Sequence, residues 1–483
     1  MTLLAELLSN QHAFFAGVSK EWRNAWGELP KVTQAVTADT SVSQLQWSFD
    51  GGLRNRETLC ERIAEHCGVE VLQCAHSNGC ELPEDACFKA AAQGKLEMIR
   101  WALKKNRDWS WVLCSAAAAG GNLRILQWAR ARGYNWDSTV CSSAAGLGRL
   151  DMLQWARANE CIWDIDTCSE AAAGGHFGIL KWAHANNCPW DGKTCSAAAG
   201  SGHLDILQWA RSQNCPWCAD TCSKAAASGH LGILKWAREN GCDWGGRVCE
   251  RAAAGGHLEV LQWVRANGVD WNSNTIYHAA KGGHLEVLQW ARAQGCPWTM
   301  DACSAVAQNG RVDILEWMMA NSCPWYTGAS RAAAVKGHVH ILEWIRTHHY
   351  PWDNSKICWR AAARGHLGVL KWAREHGFHW NSDTCRAAAR NGKFEVLKWA
   401  RCNGCPWDEG TCAGAAWAGR LDILQWARAQ GCPWDHRTYQ NATLGHREDV
   451  EEWVKLNGDF EERMVWDYDD GKWCSSDSDS SDF

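Results

Sequence analysis

The chain has 483 residues, 46% hydrophobic and 21% charged, with a net charge of −5. It can bury a core, but its charge is too mild to leave a global footprint for nucleic acid or an anionic membrane, so membrane association and nucleic-acid binding are not expected. No stretch reaches the roughly 18 uncharged apolar residues of a membrane span.

The opening, MTLLAELLSNQHAFF, has no basic n-region, and Glu6 interrupts its apolar run, so it does not read as a signal peptide. The 26 cysteines would mark a disulfide framework in a small secreted chain. In a long chain without a leader, free thiols in a reducing compartment, cytoplasmic or nuclear, are expected. Residues 1–45 read as an N-terminal helical cap, or as the segment whose family likeness is given below.

From 46 to 457 the sequence repeats. A Trp following Leu-Gln, Leu-Lys or Leu-Glu recurs every 27 residues through Trp182, Trp209, Trp236, Trp263 and Trp290 to Trp344. One step of 28 leads to Trp372, with the extra residue between Trp352 and Cys358, and the period then returns. Counting back from Trp101 by the same step reaches Cys74 and Trp47. Self-similarity at a fixed period marks stacked supersecondary units rather than an ordinary globular fold, here about 14–16 of them.

Within TCSAAAGSGHLDILQWARSQNCPWCAD, Thr194 is the predicted N-cap of a short Ala-rich helix over Ser196–Ala199. Gly200 to Gly202 break it. A second helix is predicted from Leu204 to Gln213, with Leu204, Ile206, Leu207, Trp209 and Ala210 on one face. Asn214 ends it, and Pro216 prevents its continuation. Two such helices cannot bury their apolar faces alone, so stacking makes a solenoid. The last stretch, 458–483, is acidic and Ser-rich and predicts disorder; Ser476 with Asp479 fits an acidophilic kinase site.

The pattern TCSxAAxxGHLEVLQWAR resembles the ankyrin repeat. The likeness is strongest at Gly256 to Val260 and Gly283 to Val287, in the Ala pairs, and in the Gly before Cys296. Two features depart from it: the Thr-Pro-Leu-His box is reduced to Thr-Cys, and the unit has 27 residues, the loss falling where ankyrins build a β-hairpin finger. The resemblance implies an all-α, ankyrin-like α-solenoid of stacked helix-turn-helix units with shortened, Trp-anchored loops. It also implies a non-catalytic scaffold that binds a protein partner through the concave surface made by the first helices. The stretch His12 to Pro30 is similar to the latter half of an F-box, without its usual Leu-Pro opening. That likeness implies a substrate receptor whose partners are subunits of a cullin-type ubiquitin ligase.

Trp, Cys and His can all do chemistry, but here each recurs unit after unit. Catalysis needs one distinguished pocket, so no catalytic residue is assigned. The cysteines read as small buried fillers. C-x2-C occurs only at Cys215/Cys218 and Cys402/Cys405, without a second matching pair, so no metal or cofactor is expected. His203, His230 and His257 read as turn residues. The helix Trp ladder stands where ankyrins have a buried Leu. Ten Arg, two residues past those Trp, are expected to lie over neighbouring indoles. Function is expected where units disagree on the first helix: Glu170, Lys224, Arg251, Tyr277, His278, Trp359, Arg360, Arg386 and Trp417.

Overall fold

The computed structural model describes residues 40–50, 59–80, 82, 84–104, 110–352, 356–445, 447–458, 464–467 and 472–475. The F-box-like stretch 12–30, nearly all of the 1–45 segment, and the kinase motif at Ser476 lie outside them. The chain divides into two compact units, Met1–Gly246 and Arg247–Phe483. In each, the described chain is a succession of helix pairs, such as Gly192–Ser201 with Leu204–Ser212 in the first and Ser382–Arg390 with Phe394–Cys402 in the second. Among the described residues, the loops connecting the helices carry no strand, as the shortened repeat predicts.

Apart from the helices, the described residues form one antiparallel hairpin, Met464–Asp467 with Lys472–Ser475, in which Val465 faces Cys474. This stretch of the acidic segment therefore has regular backbone structure where its composition predicts none.

The helix ends correct the sequence reading in two places. The N-cap of Gly192–Ser201 is Asp191, whose carboxylate accepts the Lys193 N–H at 2.8 Å. Asp164, Asn272 and Asp435 act in the same way in other repeats. Thr194 sits one turn inside the helix and is fully buried, because Asp places an acceptor over the free N–H groups earlier in the chain. The helix also runs through Gly200, and only Gly202, at φ 89°, ends it. The second helix stops at Ser212, one residue before the predicted end, and Asn214 turns the chain at φ 61°.

Each core is made of the smallest and the branched side chains. Cys195, Ala198 and Ala199 from the first helix meet Ile206, Leu207 and Ala210 from the second, all at most 1% exposed. The small residues let neighbouring first helices pack directly on one another, whereas second helices touch their neighbours more sparsely. The Trp ladder fills that second layer.

A repeated frame and the face it presents

Trp182, Trp209, Trp236, Trp263 and Trp290 are half-buried, not part of the central core. Leu207 and its equivalents occupy the fully buried position, and the indole lies beside them against the loop of the preceding repeat. Trp190 meets Trp209 edge-on at 5.7 Å between centroids, Trp163 meets Trp182 at 5.9 Å, and Trp271 meets Trp290 at 5.4 Å. Edge-to-face geometry places the positive ring edge on the negative face. Trp344 and Trp372, on either side of the 28-residue step, are more deeply buried at 7% exposed. Their indole N–H groups donate to Glu316 and Glu343 at 3.2 and 2.8 Å. Arg346 and the Trp372 indole together hold the Glu343 carboxyl down at about 2.

The Arg ladder locks many of the loops to their own second helices. Arg211 lies 4.4 Å from the Trp217 ring centroid and donates to the Cys215 carbonyl. Arg401 repeats this with Trp407 at 4.4 Å and Cys405 O at 3.2 Å, and Arg374 with Trp380 at 4.5 Å and Phe378 O at 2.9 Å. Guanidinium, indole and carbonyl satisfy one another inside one repeat, which is the structural role expected of this ladder.

The His ladder joins one repeat to the one before. His176 Nε2 bonds Gly146 O at 3.1 Å and His284 Nε2 bonds Ala254 O at 3.0 Å, closing carbonyls at the end of the preceding first helix. The rings of His203 and His230 lie over Gly175 and Gly202; His257 stands at the start of Leu258–Ala266. Where His is replaced, Arg149 and Arg420 also reach back to the preceding repeat, but to carbonyls two residues further on, those of Gly121 and Gly392. Gly175 is required twice: it adopts φ 74°, and a Cβ there would stand 2.6 Å from the His203 ring.

The 25 cysteines from Cys60 to Cys432 carry free thiols. The loop thiols donate across repeats, Cys215 to Asp191 O at 3.2 Å and Cys405 to Asn381 O at 3.5 Å. Within a repeat, the first-helix Cys meets the loop Cys twenty residues on, with Cys222 and Cys242 sulfurs 3.5 Å apart and Cys303 and Cys323 at 3.6 Å. Reading each cysteine as a separate small filler misses this pairing, although its constant spacing of twenty is present in the sequence. Burial pushes the Cys60 thiol up to about 12 and those of Cys114, Cys249, Cys296 and Cys358 to about 11. They remain protonated and poorly nucleophilic at neutral pH. Among the described residues, no group of three or more His, Cys, Asp or Glu is placed to hold a metal ion.

What varies lies on the outer side of the first helices, at positions one, two, five and six after their Cys. In the first compact unit, Glu170 is exposed and its carboxylate overlies Gly146 of the preceding repeat. Lys224 overlies Gly200 and donates to Ser196 Oγ at 3.2 Å. In the second, Arg251 is exposed, whereas Tyr277 and His278 are half-buried. His278 lies 4.0 Å from Glu250, and burial is the main cause that lowers its pKa. Trp359, Arg360, Arg386 and Trp417 lie on three successive, directly packed helices, Ile357–Arg364, Ser382–Arg390 and Glu409–Trp417. Arg360 covers the Trp359 ring at 4.5 Å, Arg386 pairs with Asp383, and Trp417 is 41% exposed beneath Arg390 at 5.5 Å. Arg331, Lys336, Arg364 and Arg390 belong to the same outward stripe and were not singled out from sequence; the signal was their register against the first-helix Cys.

Residues 249–292 match the family model for ankyrin repeats (many copies). Among solved structures, the human ASB11 ankyrin repeat domain is 16% identical over 32% of this chain and 84% of its own, with a TM-score of 0.28. The maize pentatricopeptide repeat protein PPR10 is 12% identical over 93% of this chain and 88% of its own, with a TM-score of 0.32. No curated protein matches the sequence.

Proposed function

We propose that this array of ankyrin-type repeats is a non-catalytic scaffold that binds a protein partner through the outward face of its first helices. Ankyrin repeats are in general protein-interaction modules. The observation that carries the reading is the division of labour within the repeat: the recurring Trp, Arg, His and Cys are consumed by packing and by backbone carbonyls, while the outward stripe of the first helices carries diverse side chains. Divergent side chains on an invariant frame suit recognition of a partner. The many buried free thiols suit a cytoplasmic or nuclear compartment, and no described helix is long and apolar enough to cross a membrane.

The test combines Arg251→Ala, Arg364→Ala and Trp417→Ala in the full-length protein and compares partners by proximity labelling. These outward changes leave melting nearly unchanged, within about 0.5 kcal/mol per Arg site. The partners labelled by the wild type are expected to be lost. An unchanged partner set in a folded variant removes the first-helix face from the account. The F-box-like reading has its own check: deletion of residues 1–39 abolishes co-purification of ubiquitin-ligase subunits if that stretch recruits them, and no association with the intact chain discards it.

A further inference from the structure

The outward stripe concentrates charge in one place. Three consecutive first helices, Gly328–Lys336, Ile357–Arg364 and Ser382–Arg390, carry Arg331, Lys336, Arg360, Arg364, Arg386 and Arg390. The single carboxylate in these helices, Asp383, is already paired with Arg386. Among the described residues, no ion pair engages Arg331, Lys336, Arg364 or Arg390. Each of these helices packs directly on the next. The following helix is cut back beside one of these Arg stems: a Cβ on Gly410 would stand 2.8 Å from Arg386 Cδ. Gly414 lets the two helices approach closely, since a Cβ there would stand 3.2 Å from the Arg386 carbonyl oxygen and 3.3 Å from Arg390 Cβ.

We propose that this surface binds an acidic peptide segment of a partner protein, laid extended across the three helices. The inference rests on the first-helix face being the binding face, as proposed above. Successive packed helices are about 8–10 Å apart, so the three span roughly 20 Å, the length of about six extended residues. Carboxylates on such a segment meet guanidinium groups in charge-assisted, often bidentate, hydrogen bonds. The edges of Trp359 and Trp417 supply apolar contact beside the charge.

Single-stranded nucleic acid is the competing polyanion, and the aromatic side chains disfavour it. Base stacking needs an open ring face, but Arg360 covers Trp359 at 4.5 Å and Arg390 lies over Trp417 at 5.5 Å.

The test uses full-length protein and two fluorescein-labelled probes, an octaglutamate peptide and a thymidine octanucleotide, read by anisotropy. Octaglutamate binds the wild type and weakens as salt rises, since exposed charges are screened. The double variant R364E/R390E loses binding by roughly tenfold or more, because it places like charges opposite the peptide. Lys224→Glu, on the other compact unit, changes binding by less than about twofold. If the double variant melts early, the single changes Arg364→Ala and Arg390→Ala take its place, each losing roughly threefold. Equal octaglutamate affinity in wild type and these variants overturns the proposal, as does an oligonucleotide that binds more tightly than the peptide. A protein that loses its labelled partners on changing Arg251, Arg364 and Trp417 yet ignores octaglutamate keeps its scaffold role and loses only the acidic ligand.

Discussion

In the first compact unit, the helices Thr139–Gly146, Ile165–Ala173 and Gly192–Ser201 have Ser142, Ser169 and Ser196 directly after their Cys; Ser142 is half-buried, and Ser169 and Ser196 are buried. In the second, Gly328–Lys336, Ile357–Arg364 and Ser382–Arg390 have Arg331, Trp359 and Arg386 at that position. All three serines turn back onto their own helices, Ser142 Oγ to Thr139 O at 3.2 Å, Ser169 Oγ to Asp166 O at 3.1 Å and Ser196 Oγ to Lys193 O at 3.0 Å, and leave a low surface. The inward positions barely differ. Cys141, Ala144 and Ala145 in one region and Cys385, Ala388 and Ala389 in the other are all fully buried. One frame therefore supports two faces, because the residue directly after the Cys can be short and buried, as Ser196 is, or long enough to reach outward, as Arg386 is, over the same inward residues.

The comparison breaks if the frame is not shared. Leu207 and Leu397 are equivalent and fully buried, so Leu207→Ala and Leu397→Ala should each cost about 2–5 kcal/mol, measured by chemical denaturation of the full chain. A large cost at one and none at the other contradicts a common frame.

A smaller effect separates the two demands on the turn glycine. At Gly256, φ is 77° and a Cβ would stand 2.4 Å from the His284 ring; at Gly283, φ is 76° but the nearest atom, on Arg311, is 3.7 Å away. Gly283→Ala should cost only the left-handed strain, about 1–2 kcal/mol. Gly256→Ala should cost more, and adding His284→Ala should recover roughly 1 kcal/mol of the excess. Equal costs for the two glycine changes, with no rescue, remove the His–Gly interlock from the account.

Much of this was legible in the sequence. A 27-residue period is a strong signal because stacking requires every repeat to present the same contacts, so the helix pairs and the structural reading of His and Arg followed from recurrence alone. Thr194 was misplaced because Thr and Asp both cap helices, and the choice between them depends on where the loop delivers the chain. Trp209 was assigned to the core by analogy with a buried Leu; only packing shows that Leu207 holds that place and that the indole serves the loop instead. Arg364 and Arg390 escaped notice because a stripe appears only once the inward residues of the first helix are known.

The central claim is that partners meet the first-helix stripe and not the second-helix surface. Site-specific photo-crosslinking in cells tests this most directly, with a benzophenone amino acid placed singly at Arg364, Arg390 and, on the second helix, Glu375. The account predicts crosslinks to one partner from 364 and 390 and none from 375. Crosslinks from 375 alone would contradict it.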